Sequence, residues 1–127
     1  MAPVIFLLSK LQGWAMSKFF LLYLAPVSAI EQMMANSNPE QMKAGMDAWM
    51  AWMKKHEKAI VDMGAPLGKT KRVTATGAAS VKNEVTGYTI VEAESHDAAA
   101  AMLVGHPHLN MPGAYVDVLS VTPIPAM

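Results

Sequence analysis

The run Lys18-Phe-Phe-Leu-Leu-Tyr-Leu24, closed by Ala25-Pro26, constrains this chain more than any other stretch. It is a short, unbroken apolar run that a proline ends, which reads as a β-strand. Successive side chains of a strand point to opposite faces. Phe19, Leu21 and Tyr23 therefore share one face, and Phe20, Leu22 and Leu24 share the other. A strand with one face in water alternates apolar with polar residues, and this one does not. Both faces of its sheet must then be covered. Helices of the same chain can cover one; in 127 residues a second subunit is the economical cover for the other.

The residues before that run, Met1–Ala15, carry Val4-Ile5-Phe6-Leu7-Leu8. This is too short to span a bilayer. It also lacks the leading positive charge and small-residue cleavage site of a secretory signal. Met16-Ser17-Lys18 looks like a natural start, so residues 1–15 read as an extension outside a single domain of residues 16–127. An extra surface strand or short helix is the alternative.

After the strand, Val27–Ser37 reads as a loop or partly helical linker. Ser37-Asn38-Pro39-Glu40 is a helix start, with a capping side chain, a proline in the first turn and an acid at the positive end of the dipole. The predicted helix runs to about Met63 and stops at Gly64, with Pro66 just beyond. Its apolar stripe is Met42, Met46, Trp49, Met53, His56 and Ile60, flanked by Trp52. Leu67–Thr76 is read as strand two and Tyr88–Ala93 as strand three, joined through the turn residues Gly77 and Lys82-Asn83-Glu84. Ser95 caps a second helix that ends at Gly105. Ala114–Val121 is the last strand, with Ala114, Val116 and Val118 on one face and Tyr115, Asp117 and Leu119 on the other. The order strand-helix-strand-strand-helix-strand predicts an α+β fold. This is a ferredoxin-like βαββαβ plait, a four-stranded antiparallel sheet with both helices on one face. Two such sheets face to face make a dimeric α/β barrel.

Composition narrows the functions. Ten basic and ten acidic side chains cancel, which leaves no electrostatic footprint for nucleic acid or an anionic membrane. The absence of cysteine rules out disulfides, a thiol nucleophile and thiolate metal sites, and fits a cytoplasmic location. Twelve methionines suit an adaptable core or a loosely shaped pocket. No glycine-rich nucleotide loop, Ser-His-Asp signature or paired carboxylates occur, so no cofactor is expected.

Potentially reactive groups concentrate in Gly105-His106-Pro107-His108, which holds two of the four histidines. His106 follows a helix C-terminus, where the dipole favours a protonated imidazole. It is the first candidate acid/base, and capping the helix end is its plain structural role. His56, on the inward stripe, is the second candidate, with a carbonyl-bonded interior histidine as the alternative. His108 reads as an exposed loop residue and His96 as a surface residue. His106 and His108 lack a third ligand, so no metal site is expected. Lys69, Lys71 and Arg72 read as a solvated face. Tyr23, Trp49, Trp52, Met53, Pro107 and His108 are the candidate ligand-binding residues, and core filling is the alternative for the aromatic ones.

Several stretches resemble the YCII-related proteins. They are Lys18–Tyr23, the helix with Trp49 and Trp52, Val61–Leu67, Gly87–Ala93, Gly105–Leu109, Tyr115–Val118 and Pro123-Ile-Pro125. The resemblance covers roughly residues 16–127 and implies the dimeric α/β barrel. It also implies chemistry on small aromatic molecules, since some relatives act on chlorinated aromatic rings, and a His/Asp pair has been proposed as the family site. The family's Asp position, before a proline after helix two, is occupied here by His106. The family's helix-one His matches Asp47, Trp49 or Met53, none of which is His. The Asp-Gly-Pro-Phe signature of a related branch is missing. Two readings follow. One is a homodimeric binder of an apolar or aromatic small molecule, with proton transfer of lyase or isomerase type. The other is a non-catalytic ligand-binding or accessory dimer.

Overall fold

The computed structural model describes residues 16–124, so the expected extension at residues 1–15 lies outside the described residues. The elements are β1 (Ser17–Leu24), α1 (Val27–Asn36), α2 (Pro39–Lys55), β2 (Ile60–Asp62), β3 (Thr70–Thr74), β4 (Gly77–Val81), β5 (Val85–Ala93), α3 (His96–Ala101), a 3-10 turn at Pro107–Asn110, and β6 (Tyr115–Ser120). A four-stranded sheet has the order β2-β5-β1-β6, with antiparallel pairing throughout. This is the expected α+β plait, with β1 and β5 at its centre.

The two faces of β1 separate as its apolar run requires. Phe19, Leu21 and Tyr23 are buried, and they meet Val91, Ala93, Trp52, Ala99 and Leu103 in the core. At about 1.5–3 kcal/mol for each large side chain, this layer fixes α2 and α3 on one side of the sheet. The register pairs Phe20 with Ile90 and Leu119, and Leu22 with Tyr88 and Asp117. These residues form the opposite face, where the Phe20 and Tyr88 rings stack 5.2 Å apart. No element of the chain among the described residues covers that face, and Leu119 is 45% exposed.

Four expectations about the elements are corrected. Val27–Asn36 is a full helix, begun by Pro26, whose fixed φ suits the entry to a first turn. The long helix ends at Lys55 rather than near Met63; His56 closes it, and Ile60–Asp62 becomes the sheet's edge strand against β5. Strand two of the plait is therefore Ile60–Asp62. Thr70–Thr74 instead pairs with Gly77–Val81 in a separate two-stranded hairpin around Ala75-Thr76. Lys69, Lys71 and Arg72 on it are exposed, as expected of a solvated face. Finally, Met42 and Met46 are 63% and 65% exposed, so the predicted stripe is real only in its C-terminal half. Every residue from Pro39 to Ala48 is exposed, and the helix docks through Trp49, Trp52 and Met53.

Candidate functional site

The Gly105–Asn110 segment is built by local rules. Ser95 caps α3 by accepting from the Ala98 N–H at 3.0 Å. Gly105, at φ 78°, makes the left-handed exit that follows the helix, and the His106 N–H returns to the Leu103 carbonyl. Pro107 then opens the 3-10 turn, with the Leu109 N–H bonded to the His106 carbonyl. The result points the His106 ring inward, where the residue is 1% exposed.

Three aromatic rings enclose it. Tyr23 from β1 stacks on His106 at 5.1 Å and 30°. Trp49 and Trp52 from α2 meet it nearly edge-on, each at 4.5 Å between ring centroids. The two tryptophans, three residues apart on a helix, face the same way. Tyr23 and Trp49 also touch each other, at 4.8 Å. Tyr23 Oη donates to Thr89 Oγ1 at 2.8 Å, and Thr89 Oγ1 in turn donates to the Met63 carbonyl at 3.1 Å. Burial pushes the Tyr23 phenol up to about 12, against the smaller opposing effect of the Thr89 bond. Trp52 Nε1 donates to the Met102 carbonyl at 2.9 Å and so ties α2 to the end of α3.

His106 Nδ1 accepts the backbone N–H of His108 at 3.0 Å, while its Nε2 is enclosed and has no partner among the described residues. Burial pushes its pKa down to about 4, and the neighbouring His108 and His56 charges act in the same direction. The expected protonated imidazole is therefore corrected to a neutral one. The dipole of a six-residue helix is weak beside the cost of an enclosed cation. His108 is corrected as well. It is 5% exposed, and its Nε2 donates to the Leu24 carbonyl at 2.8 Å, which clamps the turn to the end of β1.

The other candidates are placed as follows. His56 is partly exposed at the end of α2, its ring 4.8 Å from Trp52. Burial, then Lys55, holds its pKa below the ordinary value. Met53 packs against the core and borders a separate shallow cleft of about 220 Å³ with Glu57, Ile60, Val61 and Met63. Pro107 is half-buried at the start of the turn. Asp47 is exposed and ion-paired with Lys43 at 3.0 Å, so it does not reach His106. His96 is exposed, as expected, and its ring donates to the Val118 carbonyl at 2.6 Å. Asp117 lies on the uncovered sheet face beside Leu22. Sequence reasoning missed Thr89, which is fully buried and accepts the Tyr23 hydrogen bond. The alternation Gly87, Thr89, Val91, Ala93 held the signal, since it places Thr89 on the inner face with Val91. Among the described residues, no three His, Asp or Glu side chains gather as a metal site would need. No described helix is long and apolar enough to cross a membrane.

No protein-family model matches the sequence, and no curated protein is significantly similar to it. Among solved structures, the chain is similar to 5-chloro-2-hydroxyhydroquinone dehydrochlorinase from Burkholderia phenoliruptrix AC1100, in complex with 2,5-dihydroxybenzoquinone. The TM-score is 0.46 at 16% sequence identity, covering 79% of this chain and 90% of that one. The likeness is distant, and the functional reading rests on this chain's own residues.

Proposed function

We propose that this chain is a homodimeric, YCII-like protein that binds a small aromatic or apolar molecule at the His106 cage. The observation that carries the reading is the enclosed imidazole among Tyr23, Trp49 and Trp52, with one nitrogen lacking a partner. The large majority of buried side-chain polar atoms have a hydrogen-bond partner, so an enclosed ring nitrogen without one calls for an explanation. Aromatic walls with one polar group at the centre are the usual make-up of a small-ligand site. The homodimer forms through the face bearing Phe20, Leu22, Leu24, Tyr88 and Ile90, which a second copy covers with the same surface.

Proton transfer of lyase or isomerase type is the catalytic form of this reading, with His106 as the acting group. The non-catalytic form, a ligand-binding or accessory module, is favoured by a specific observation. His106 is neutral, Nδ1 is occupied, and among the described residues no carboxylate acts on the ring's protonation. A thermal-shift screen of small aromatic compounds against wild type and His106→Ala, followed by product analysis for each hit, separates the two. Stabilisation that depends on His106 without turnover supports the module, and turnover lost in the variant supports the catalyst. Hits that stabilise both proteins equally, or no hits at all, overturn the site.

A further inference from the structure

We propose that His106 works as a neutral hydrogen-bond donor through Nε2, kept in that tautomer by His108, and that the cage selects planar molecules carrying an uncharged oxygen acceptor. This rests on the binding reading above and names the ligand chemistry it implies.

A ring nitrogen that accepts a hydrogen bond carries no proton, so a neutral imidazole whose Nδ1 accepts must hold its proton on Nε2. The group that Nδ1 faces is the backbone N–H of His108, which can only donate. The tautomer is thus dictated by main chain, and no side-chain titration reverses it. The His108 N–H is itself fixed from both sides. Pro107 sets the first residue of the turn, and the His108 ring is anchored to the Leu24 carbonyl at 2.8 Å. His108 is accordingly a positioning residue, acting on the ligand only through His106.

Nε2–H is enclosed with the ring among Tyr23, Trp49 and Trp52 and has no acceptor among the described residues. An enclosed donor without a partner is unfavourable, and a molecule that brings an acceptor removes that penalty while one that lacks it does not. The other polar groups of the enclosing rings that have partners are already engaged: Tyr23 Oη with Thr89, and Trp52 Nε1 with the Met102 carbonyl. Among the fully enclosed polar groups, selection between ligands of one shape therefore falls on His106, while Trp49 Nε1 belongs to a ring that is partly exposed. The rings themselves favour a flat partner, since edge-to-face and offset stacking are the preferred aromatic contacts. Neither His106 nor its aromatic neighbours carries a charge, so a ketone, aldehyde or quinone oxygen suits the site better than a carboxylate. Trp49 is the least buried of the three rings, on a helix whose preceding residues Pro39–Ala48 are exposed, so a ligand would approach from its side.

The test has two arms. Long-range proton–nitrogen correlation spectra of ¹⁵N-histidine-labelled protein at pH 7.4 read the tautomer directly. We expect His106 to show a bare Nδ1 and a protonated Nε2, and His108→Ala, which keeps the backbone N–H but loses the Leu24 anchor, to shift part of it to the other tautomer. An Nδ1–H form or an imidazolium in the wild type overturns the inference whatever binds. In the second arm, acetophenone and its hydrocarbon counterpart cumene are titrated by calorimetry. Acetophenone is expected to bind about tenfold more tightly, a preference lost in His106→Phe and partly restored in His106→Gln. Equal binding of the two sinks the inference and leaves the binding reading standing. Binding of neither removes both.

Discussion

His106 meets acid differently in the folded and unfolded chain. Its enclosed ring protonates at about pH 4, against an ordinary value of 6.5. Between those values the unfolded chain holds more protons, so stability is full above about pH 6.5 and falls as the pH drops towards 4. The loss expected is about 2 kcal/mol, smaller than the whole shift because water and relaxation accommodate part of the charge. Urea unfolding at a series of pH values should show that decline in the wild type and a flatter curve in His106→Phe; identical curves contradict it. His56 adds in the same direction. Two glycines make a sharper contrast. Gly64 has φ 76°, and a Cβ there would stand 1.6 Å from the Tyr88 carbonyl oxygen, whereas Gly105, at φ 78°, has open space around it. Gly64→Ala should cost more than about 3 kcal/mol, by prising β2 from β5, and Gly105→Ala only about 1 kcal/mol of backbone strain. Similar losses at both positions would mean that the close approach at Gly64 does not exist.

At the scale of elements, α2 shows how a helix can be legible and still be misjudged. Asn38, Pro39 and Glu40 announce its start, and the structure has Asn38 accepting the Gln41 N–H at 2.9 Å. Its end was less legible because Ile60 continues the three-and-four spacing of Met53 and His56. What makes Ile60–Asp62 a strand is pairing with Ile90 and Val91, some thirty residues away, and no local pattern contains that. The Met42 and Met46 stripe has the right period but no sheet beneath it. Trp52→Ala should therefore cost about 3–5 kcal/mol, since it empties a core position and frees the Met102 carbonyl. Met46→Ala should stay within about 0.5 kcal/mol. Denaturant midpoints of the two variants decide the matter, and comparable losses would place the docking surface along the whole helix.

For the whole molecule, the uncovered face of the sheet makes oligomeric state the decisive measurement. Light scattering at micromolar concentration should give a dimer, and Leu22→Asp, at the centre of the face, should give a folded monomer. A monomeric wild type would remove the architecture proposed for the site's surroundings. The unbroken apolar run of β1 and the order of the elements determined, from sequence alone, the plait and the two opposed faces of its first strand. They did so because strand periodicity and chain connectivity are local properties. Tertiary structure alone decided the edge strand, the hairpin and the state of the two loop histidines. A proton's place on His106 depends on which main-chain group and which rings enclose it. Those groups come from β1, α2 and the turn after α3, brought together only when the chain has folded.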